Sequence, residues 1–374
     1  MRKATLTAIF IGLLIGALFA SWRIIIDFAR DITNTHSFAD AVALTAPSVV
    51  NIYTSSPIIQ AKNTNELVSR YFTQQQSLQN NTQEISLGSG VIMHKHGYIV
   101  TNLHVIKDAT KIVALLFDGR QAEAKIIGVD TATDIAILKI QQTDLPAIQM
   151  GNSEDMRVGD FVLAIGNPYG FGQTVTSGII SAKGRYGLNL NTYENYIQTD
   201  AAINVGNSGG ALINARGELI GINTANYTQS GGSQGIALAT PVETVYKVIS
   251  DIIQHGYVVR GWLGLEVAQL TPEIAQQIDT DITNGIMITR TQSGSPAQQA
   301  GLLAQDIIIS IDGKRISNGH QGLNEVADLM PGHTIEVEVL RKNKRVKVYA
   351  VIGIRPASAT STAPAANFPR NQSN

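Results

Sequence analysis

Gly206-Asn207-Ser208-Gly209-Gly210 sets a serine in a turn bounded by glycines. A serine hydroxyl is a poor nucleophile at neutral pH and needs an imidazole to take its proton. The imidazole in turn needs a carboxylate to hold its tautomer and stabilise the cation that forms. Both groups lie upstream. His104 closes Thr101-Asn102-Leu103-His104 at the end of an apolar run, and Asp134 sits in Thr133-Asp134-Ile135-Ala136 just before another. Gly206 lets its own N–H and that of Ser208 turn toward one point, where a tetrahedral intermediate would place its oxyanion. The chemistry this implies is acyl transfer, with no metal and no organic cofactor.

Other candidates are weaker. His36, His255, His320 and His333 lack a strand-end context, and His94 and His96 flank Lys95 ahead of Gly97, which reads as a polar hairpin tip rather than a zinc site. The chain has no cysteine, which excludes thiol catalysis, thiolate metal sites and disulfides. Arg260-Gly261-Trp262-Leu263-Gly264-Leu265 is a glycine-interrupted apolar strand edge. Trp262, Leu263, Gly264 and Leu265 could expose consecutive N–H groups as a nest for a peptide carboxylate. The plainer alternative is an ordinary strand with a packing glycine.

These groups need a scaffold. With 374 residues, the chain has room for two to three domains at about 150 residues each. Hydrophobic residues make up 44% and charged residues 15%, against a largely disordered chain. Lysine plus arginine number 28 and aspartate plus glutamate 29, so nothing suggests a surface that tracks nucleic-acid phosphates. Short β-like runs follow Ser48: Val49 to Tyr53, Gly90 to Ile92, Tyr98 to Thr101 and Lys111 to Phe117. Turn signals such as Asp118-Gly119 separate them, which predicts a barrel or sandwich. The polar stretch between Tyr53 and Leu87 reads as a long mobile loop. A helix is expected from about Val242 to Gln254, with a boundary near His255-Gly256-Tyr257. Beyond it, Ser295-Pro296 starts a short helix that Gly301 closes, and Asp312-Gly313 turns a hairpin. The eighteen residues from Ala357 read as a disordered tail.

Arg2 and Lys3 precede Ala4 to Trp22, nineteen residues without a formal charge, which as a helix reach about 28 Å, close to a bilayer core. Leu18 spoils the small-residue cleavage pattern that would end at Ala20, so the run reads as an uncleaved anchor rather than a signal peptide. The cations before it keep the amino end in the cytoplasm and send the rest across. The expected division is 1–35 anchor and linker, 36–256 catalytic domain, 257–356 peptide-binding domain and 357–374 tail.

The order His104, Asp134, Ser208 is the chymotrypsin order. From Gly88-Ser89-Gly90-Val91 to Pro241 the chain resembles the HtrA family of serine proteases. The matching stretches include Thr101 to Ile106, Thr133 to Lys139, Gly166-Asn167-Pro168-Tyr169-Gly170, Gly178 to Ala182 and Gln198 to Asn204. With the second module, the likeness covers nearly all of residues 36 to 356. It implies a mostly β fold: a chymotrypsin-like double β-barrel, then one α+β PDZ-like domain, after an amino-terminal transmembrane helix. It also implies that Trp262 to Leu265 is a PDZ carboxylate-binding loop and that Arg185 belongs to a regulatory sensor loop. A homotrimer is implied, with Tyr169 and Phe171 at the threefold contact, and a small or aliphatic residue before the cut bond. One amino-terminal anchor with one PDZ module fits the membrane-anchored members. Those members face the periplasm from the bacterial inner membrane, cleave a transmembrane anti-sigma factor and answer to carboxyl-terminal peptides of misfolded outer-membrane proteins. The alternatives are a quality-control protease or chaperone of the same family and, further off, a non-catalytic peptide-binding scaffold. Asn207 stands where digestive relatives carry an aspartate that pairs with a newly cut amino terminus, so activation by that cleavage is not expected.

Overall fold

Runs of Ile, Val and Ala between glycine turns form two closed barrels in the computed structural model, which describes residues 15–23, 37–57, 83–167, 173–226, 235–277, 282 and 285–356. The first uses β1 (Val49–Pro57), β2 (Gln83–His94), β3 (Tyr98–Asn102), β4 (Lys111–Leu115), β5 (Gln121–Asp130) and β6 (Ile135–Ile140), closed in the order β1-β2-β3-β6-β5-β4. The second uses β7 (Phe161–Gly166), β8 (Thr174–Arg185), β9 (Tyr196–Thr199), β10 (Ala211–Asn214), β11 (Leu219–Asn226) and β12 (Ala237–Pro241), closed in the order β10-β11-β12-β9-β8-β7. Closure leaves no exposed sheet edge.

Several strands read as unbroken apolar runs because both of their faces are buried. Side chains alternate across a strand. Val50, Ile92, Ile99 and Leu138 fill the first barrel, while their neighbours Val49, Val91, Val100 and Ile137 join Leu163, Ile165 and Ile213 in the core shared with the second. Helix α3 (Val242–His255) adds Val242, Val245, Val248 and Ile252 to that shared core. It ends at Gly256, whose φ of 81° lets its N–H bond the Ile252 carbonyl at 2.9 Å. The short helices α1 (Ala39–Thr45) and α2 (Leu103–Ile106) lie earlier in the chain.

The expected loop after Tyr53 is shorter than its composition suggested. β1 and β2 stay paired from Tyr53↔Leu87 out to Pro57↔Gln83, since ladder bonds use only the backbone. Residues 58–82 lie outside the described residues, as do Tyr169, Phe171 and the tail from 357. Residues 15–23 are helical, with Ile15, Leu18, Phe19 and Trp22 exposed. Among the described residues no helix is long and apolar enough to cross a membrane. The expected span from Ala4 begins outside them.

The second module has β13 (Gly261–Trp262), β14 (Leu265–Gln269), β15 (Ile286–Thr291), β16 (Ile307–Ile311), β17 (Lys314–Arg315), β18 (Thr334–Arg341), β19 (Lys344–Val351) and β20 (Gly353–Ile354). Helices α4 (Pro272–Gln277), α5 (Pro296–Ala300) and α6 (Gly319–Asp328) complete it. Its main sheet runs β14-β15-β16-β18-β19 around Ile286, Ile288, Val337, Val339 and Ala350. Ser295 Oγ accepts from the Gln298 N–H at 3.2 Å and caps α5, and Gly301 closes it at φ 82°. Asp312 and Gly313, at φ 49° and 79°, turn β16 into β17.

Candidate active site

His104 lies one residue into α2, directly after β3, and Asp134 directly precedes β6. β3 and β6 are paired from Tyr98↔Lys139 to Asn102↔Ile135, so the ladder delivers both residues to the same end of the barrel. There the carboxylate holds the histidine twice. Asp134 Oδ2 lies 2.5 Å from His104 Nδ1, and Oδ1 accepts the His104 backbone N–H at 2.9 Å. The Asp134 carbonyl also accepts from the Leu103 N–H at 2.9 Å and from Asn102 Nδ2 at 3.1 Å. With Nδ1 engaged as a donor, Nε2 is left as the acceptor. Asp134 takes φ 60°, which costs roughly 1 kcal/mol outside glycine and is offset by these bonds. Burial, with Glu194 and Asp134 nearby, pushes the Tyr196 phenol up, so this neighbour stays neutral.

Ser208 arrives from the other barrel. Gly206 has φ 104° and Gly209 φ 81°, both glycine conformations. A Cβ on Gly209 would lie 2.2 Å from the Ser89 carbonyl oxygen and 2.4 Å from Thr101 Oγ1, so the turn packs against the strand that leads to His104. Ser89, fully buried in β2, ties both ends of the turn. Its Oγ donates to the Gly206 carbonyl at 2.7 Å, its N–H donates to the Ser208 carbonyl at 2.9 Å, and its Oγ accepts from the Asn167 N–H at 3.0 Å. Asn207 turns inward, its Oδ1 accepting from the Asn204 N–H at 3.0 Å and its Nδ2 donating to the Ala202 carbonyl at 3.3 Å. The inward amide thus braces its own loop. Among the described residues, no group accepts from the N–H of Gly206 or Ser208, and Ser208 Oγ makes no hydrogen bond, to His104 or otherwise. In the sequence Ser89 belongs to a stretch that matches the family, and its position before Gly90 carries no local signal for this brace.

Residues 88–222 match the model of the trypsin-like peptidase domain, and residues 261–351 match that of the PDZ domain. The chain is 42% identical to the serine endoprotease DegS of Escherichia coli K12, over 86% of this chain and 87% of that protein. It is 39% identical to the periplasmic pH-dependent serine endoprotease DegQ of the same organism, over 95% of this chain and 78% of that one. The chain belongs to the HtrA family of serine endoproteases. Among solved structures, the HtrA-type protease AlgW with a decapeptide superposes with a TM-score of 0.72 at 46% identity, covering 86% of this chain and 100% of that one.

Trp262 to Leu265 closes one end of a cleft of about 340 Å³ that β14 and α6 flank. The Leu263 carbonyl accepts from the Ala297 N–H and the Gly264 carbonyl from the Gln292 N–H, both at 2.9 Å. In a trans peptide the N–H points away from the C=O, so the following N–H groups of Gly264 and Leu265 turn the other way. Gly264 takes φ 75°, and a Cβ there would lie 2.4 Å from Ser295 Cβ. Trp262, Leu263, Gly264 and Leu265 thus lie together in the lining of this cleft.

Arg185, at the end of β8, is exposed and donates from Nε to Gln198 Oε1 at 2.8 Å. The contacts to the PDZ module come instead from residues just after it. Tyr186 stacks with His320 at 6.4 Å, and its hydroxyl accepts from Asn318 Nδ2 at 2.8 Å. The Glu194 carbonyl accepts from Asn324 Nδ2. Glu194 shapes this loop, its buried carboxylate accepting the N–H groups of Leu188, Leu190 and Asn191. Arg260, at the entry to the module, pairs bidentately with Asp130 at 3.0 and 2.5 Å, and Asp130 accepts from Thr133 Oγ1, beside Asp134. None of these junction residues stood out in the sequence, because each has a partner far along the chain.

Proposed function

We propose that this HtrA-family enzyme is a membrane-anchored endoprotease of the DegS type, with His104, Asp134 and Ser208 as its triad. Ser208 Oγ attacks the peptide carbonyl while His104 Nε2 takes its proton. His104 then gives that proton to the leaving amine, and water releases the acyl group by the same route in reverse. Asp134 stays ionised, fixing the imidazole and stabilising its cation. The N–H groups of Gly206 and Ser208 receive the oxyanion. The observation that carries this reading is the two-point hold of Asp134 on His104, beside the strand against which the Ser208 turn packs.

Regulation follows from the second module. A peptide with a free carboxyl terminus docks along Trp262 to Leu265, and its effect reaches the active site through β8. One end of β8 carries Arg185 beside the PDZ-contacting Tyr186. Farther back, Thr176 Oγ1 donates to the Ala202 carbonyl, and the Ile179 N–H donates to Asp200, both in the segment that leads to Gly206. The solved AlgW structures with a decapeptide and a tripeptide support peptide binding. The apolar helix ending at residue 23 supports an inner-membrane anchor, with the domains in the periplasm. A homotrimer, an anti-sigma factor as substrate and carboxyl termini of misfolded outer-membrane proteins as activator complete the reading.

A fluorophosphonate probe, added with an activating peptide, should label Ser208. Failure to label it would overturn the enzyme mechanism. Rapid digestion of unfolded casein would instead place the protein with the quality-control members.

A further inference from the structure

Asn102 ends β3 and opens α2, two residues before His104, and is fully buried. An asparagine at the start of a helix usually turns its Oδ1 onto a backbone N–H of the first turn. Here the His104 N–H, which would be such a donor, is taken by Asp134 Oδ1 at 2.9 Å, and the Asn102 side chain makes no cap. Its amide faces the other way. Nδ2 donates to the Asp134 carbonyl at 3.1 Å and to Thr224 Oγ1 at 3.4 Å. Only an N–H can meet a carbonyl oxygen, so the amide cannot be turned over. Oδ1 is left with no partner among the described residues. A buried acceptor without a donor opposes folding, so stability alone does not account for this amide.

Thr224 comes from the other barrel. β11 pairs with β12 through Asn223↔Ala239 and then Ala225↔Leu238, so Thr224 is the extra residue of a β-bulge. A bulge re-aims the side chain it carries. The buried Thr224 hydroxyl donates to the Ile222 carbonyl at 3.0 Å and lies 3.0 Å from Thr240 Oγ1. A hydroxyl has one proton and two lone pairs. With its proton on Ile222, it accepts from Thr240 and from Asn102, and all three places are filled. The residue before it holds the nucleophile turn. The Asn223 carbonyl accepts from the Gly209 N–H at 2.7 Å, and the Asn223 N–H donates to the Gly210 carbonyl at 2.9 Å. Neighbouring residues of one strand thus grip both halves of the site, Asn223 the turn after Ser208 and Thr224 the segment before His104.

We propose that Asn102 is a positioning residue for the reaction, joining the backbone of Asp134 to Thr224 of the opposite barrel and so fixing the distance from His104 to Ser208. It touches none of the reacting atoms. On its own barrel it holds the carbonyl of the turn in which Asp134 takes φ 60°. On the other it is tied to the strand that clasps Gly209 and Gly210. A misplacement of about 1 Å between reacting groups can cost about 100-fold in rate, so a tie across the barrels acts directly on catalysis. The inference rests on His104, Asp134 and Ser208 being the triad.

The test uses the intact chain with an activating peptide present. The total fluorophosphonate taken up counts folded sites, and the labelling rate per site reads the spacing. Asn102→Leu keeps the size of the side chain without its amide. It should label to full stoichiometry but about 10- to 100-fold more slowly, with kcat lowered in parallel and KM unchanged. Thr224→Val should slow labelling about 2- to 10-fold, the worth of one hydrogen bond, and Thr224→Ser should restore the wild-type rate. Combining Asn102→Leu with Thr224→Val should be no slower than Asn102→Leu alone, because both break one tie. A purely structural role would lower the melting temperature or the number of sites and leave the rate per site unchanged. That result in Asn102→Leu would overturn the inference, as would additive slowing in the double variant. If Asn102→Leu does not fold, the two Thr224 variants decide, and Thr224→Val labelling at the wild-type rate overturns the tie. If the wild type itself is not labelled at Ser208, the triad reading fails first and takes this inference with it.

Discussion

The two halves of the active site are built differently. His104 and Asp134 come from paired neighbouring strands of one barrel and are joined by side-chain and backbone bonds on both carboxylate oxygens. Ser208 and Gly206 come from the other barrel, in a turn whose φ values only glycine adopts freely, held mainly by Ser89 from across the interface. Beside this turn, Val205 is 72% exposed. The His104–Asp134 pair is therefore assembled by the local fold, whereas the proposed nucleophile and oxyanion donors depend on how the turn sits. Under the proposed peptide regulation this division matters, because an effector could act on one loop without disturbing the barrel that carries His104 and Asp134. Coupling acts on whichever element has two arrangements close in free energy.

Several measurements would break or sharpen that comparison. The largest effect belongs to the nucleophile: Ser208→Ala should lower kcat about 10⁶-fold, with thermal unfolding nearly unchanged. Retention of even a tenth of the turnover would refute the assignment. Asp134→Asn strikes the pre-assembled half and should lower kcat about 10⁴-fold by releasing the wrong imidazole tautomer. A crystal structure of that variant should keep the turn at Gly206 unchanged.

Ser89→Ala strikes the other half. It leaves the Gly206 carbonyl without its buried donor, at a cost of roughly 1–3 kcal/mol. Much of that should appear as a fall in kcat/KM of about 5- to 150-fold, with fluorophosphonate labelling slowed in parallel. An unchanged labelling rate would show that the turn stands without its brace. A saturating peptide with a free carboxyl terminus should raise cleavage by a similar factor, about 5- to 150-fold for typical coupling. Its amide should not, and a chain lacking 257–356 should ignore both. The smallest effect is expected from deleting residues 1–35. Purified protease should retain its wild-type turnover, because that segment precedes every strand of the barrels. A large loss would mean that the apolar run contributes to the catalytic fold.

Much of the protein was legible along the chain. The His104, Asp134 and Ser208 contexts, the helix closing at Gly256, the Ser295 cap and the Asp312-Gly313 turn all rest on local chemistry within a few residues. Composition misled where polarity stood in for structure. Residues 54–57 and 83–86 are mostly polar yet paired, because ladder bonds do not depend on side-chain type. The family resemblance points to Arg185 as the regulatory residue, yet contacts to the PDZ module are made by Tyr186, Tyr193 and Glu194 beyond it.

The sequence by itself determined which residues could do chemistry and in what order, since a nucleophile, a base and its carboxylate declare themselves by type and by the glycines and strand ends beside them. Tertiary structure alone decided what holds them. Ser89 meets Gly206 across 117 positions, Arg260 meets Asp130 across 130, and Arg355 meets Tyr193 across 162. No local pattern encodes such pairs. They exist because closing each barrel and docking the PDZ module bring distant polar groups into a setting where an unpaired donor or acceptor would be costly.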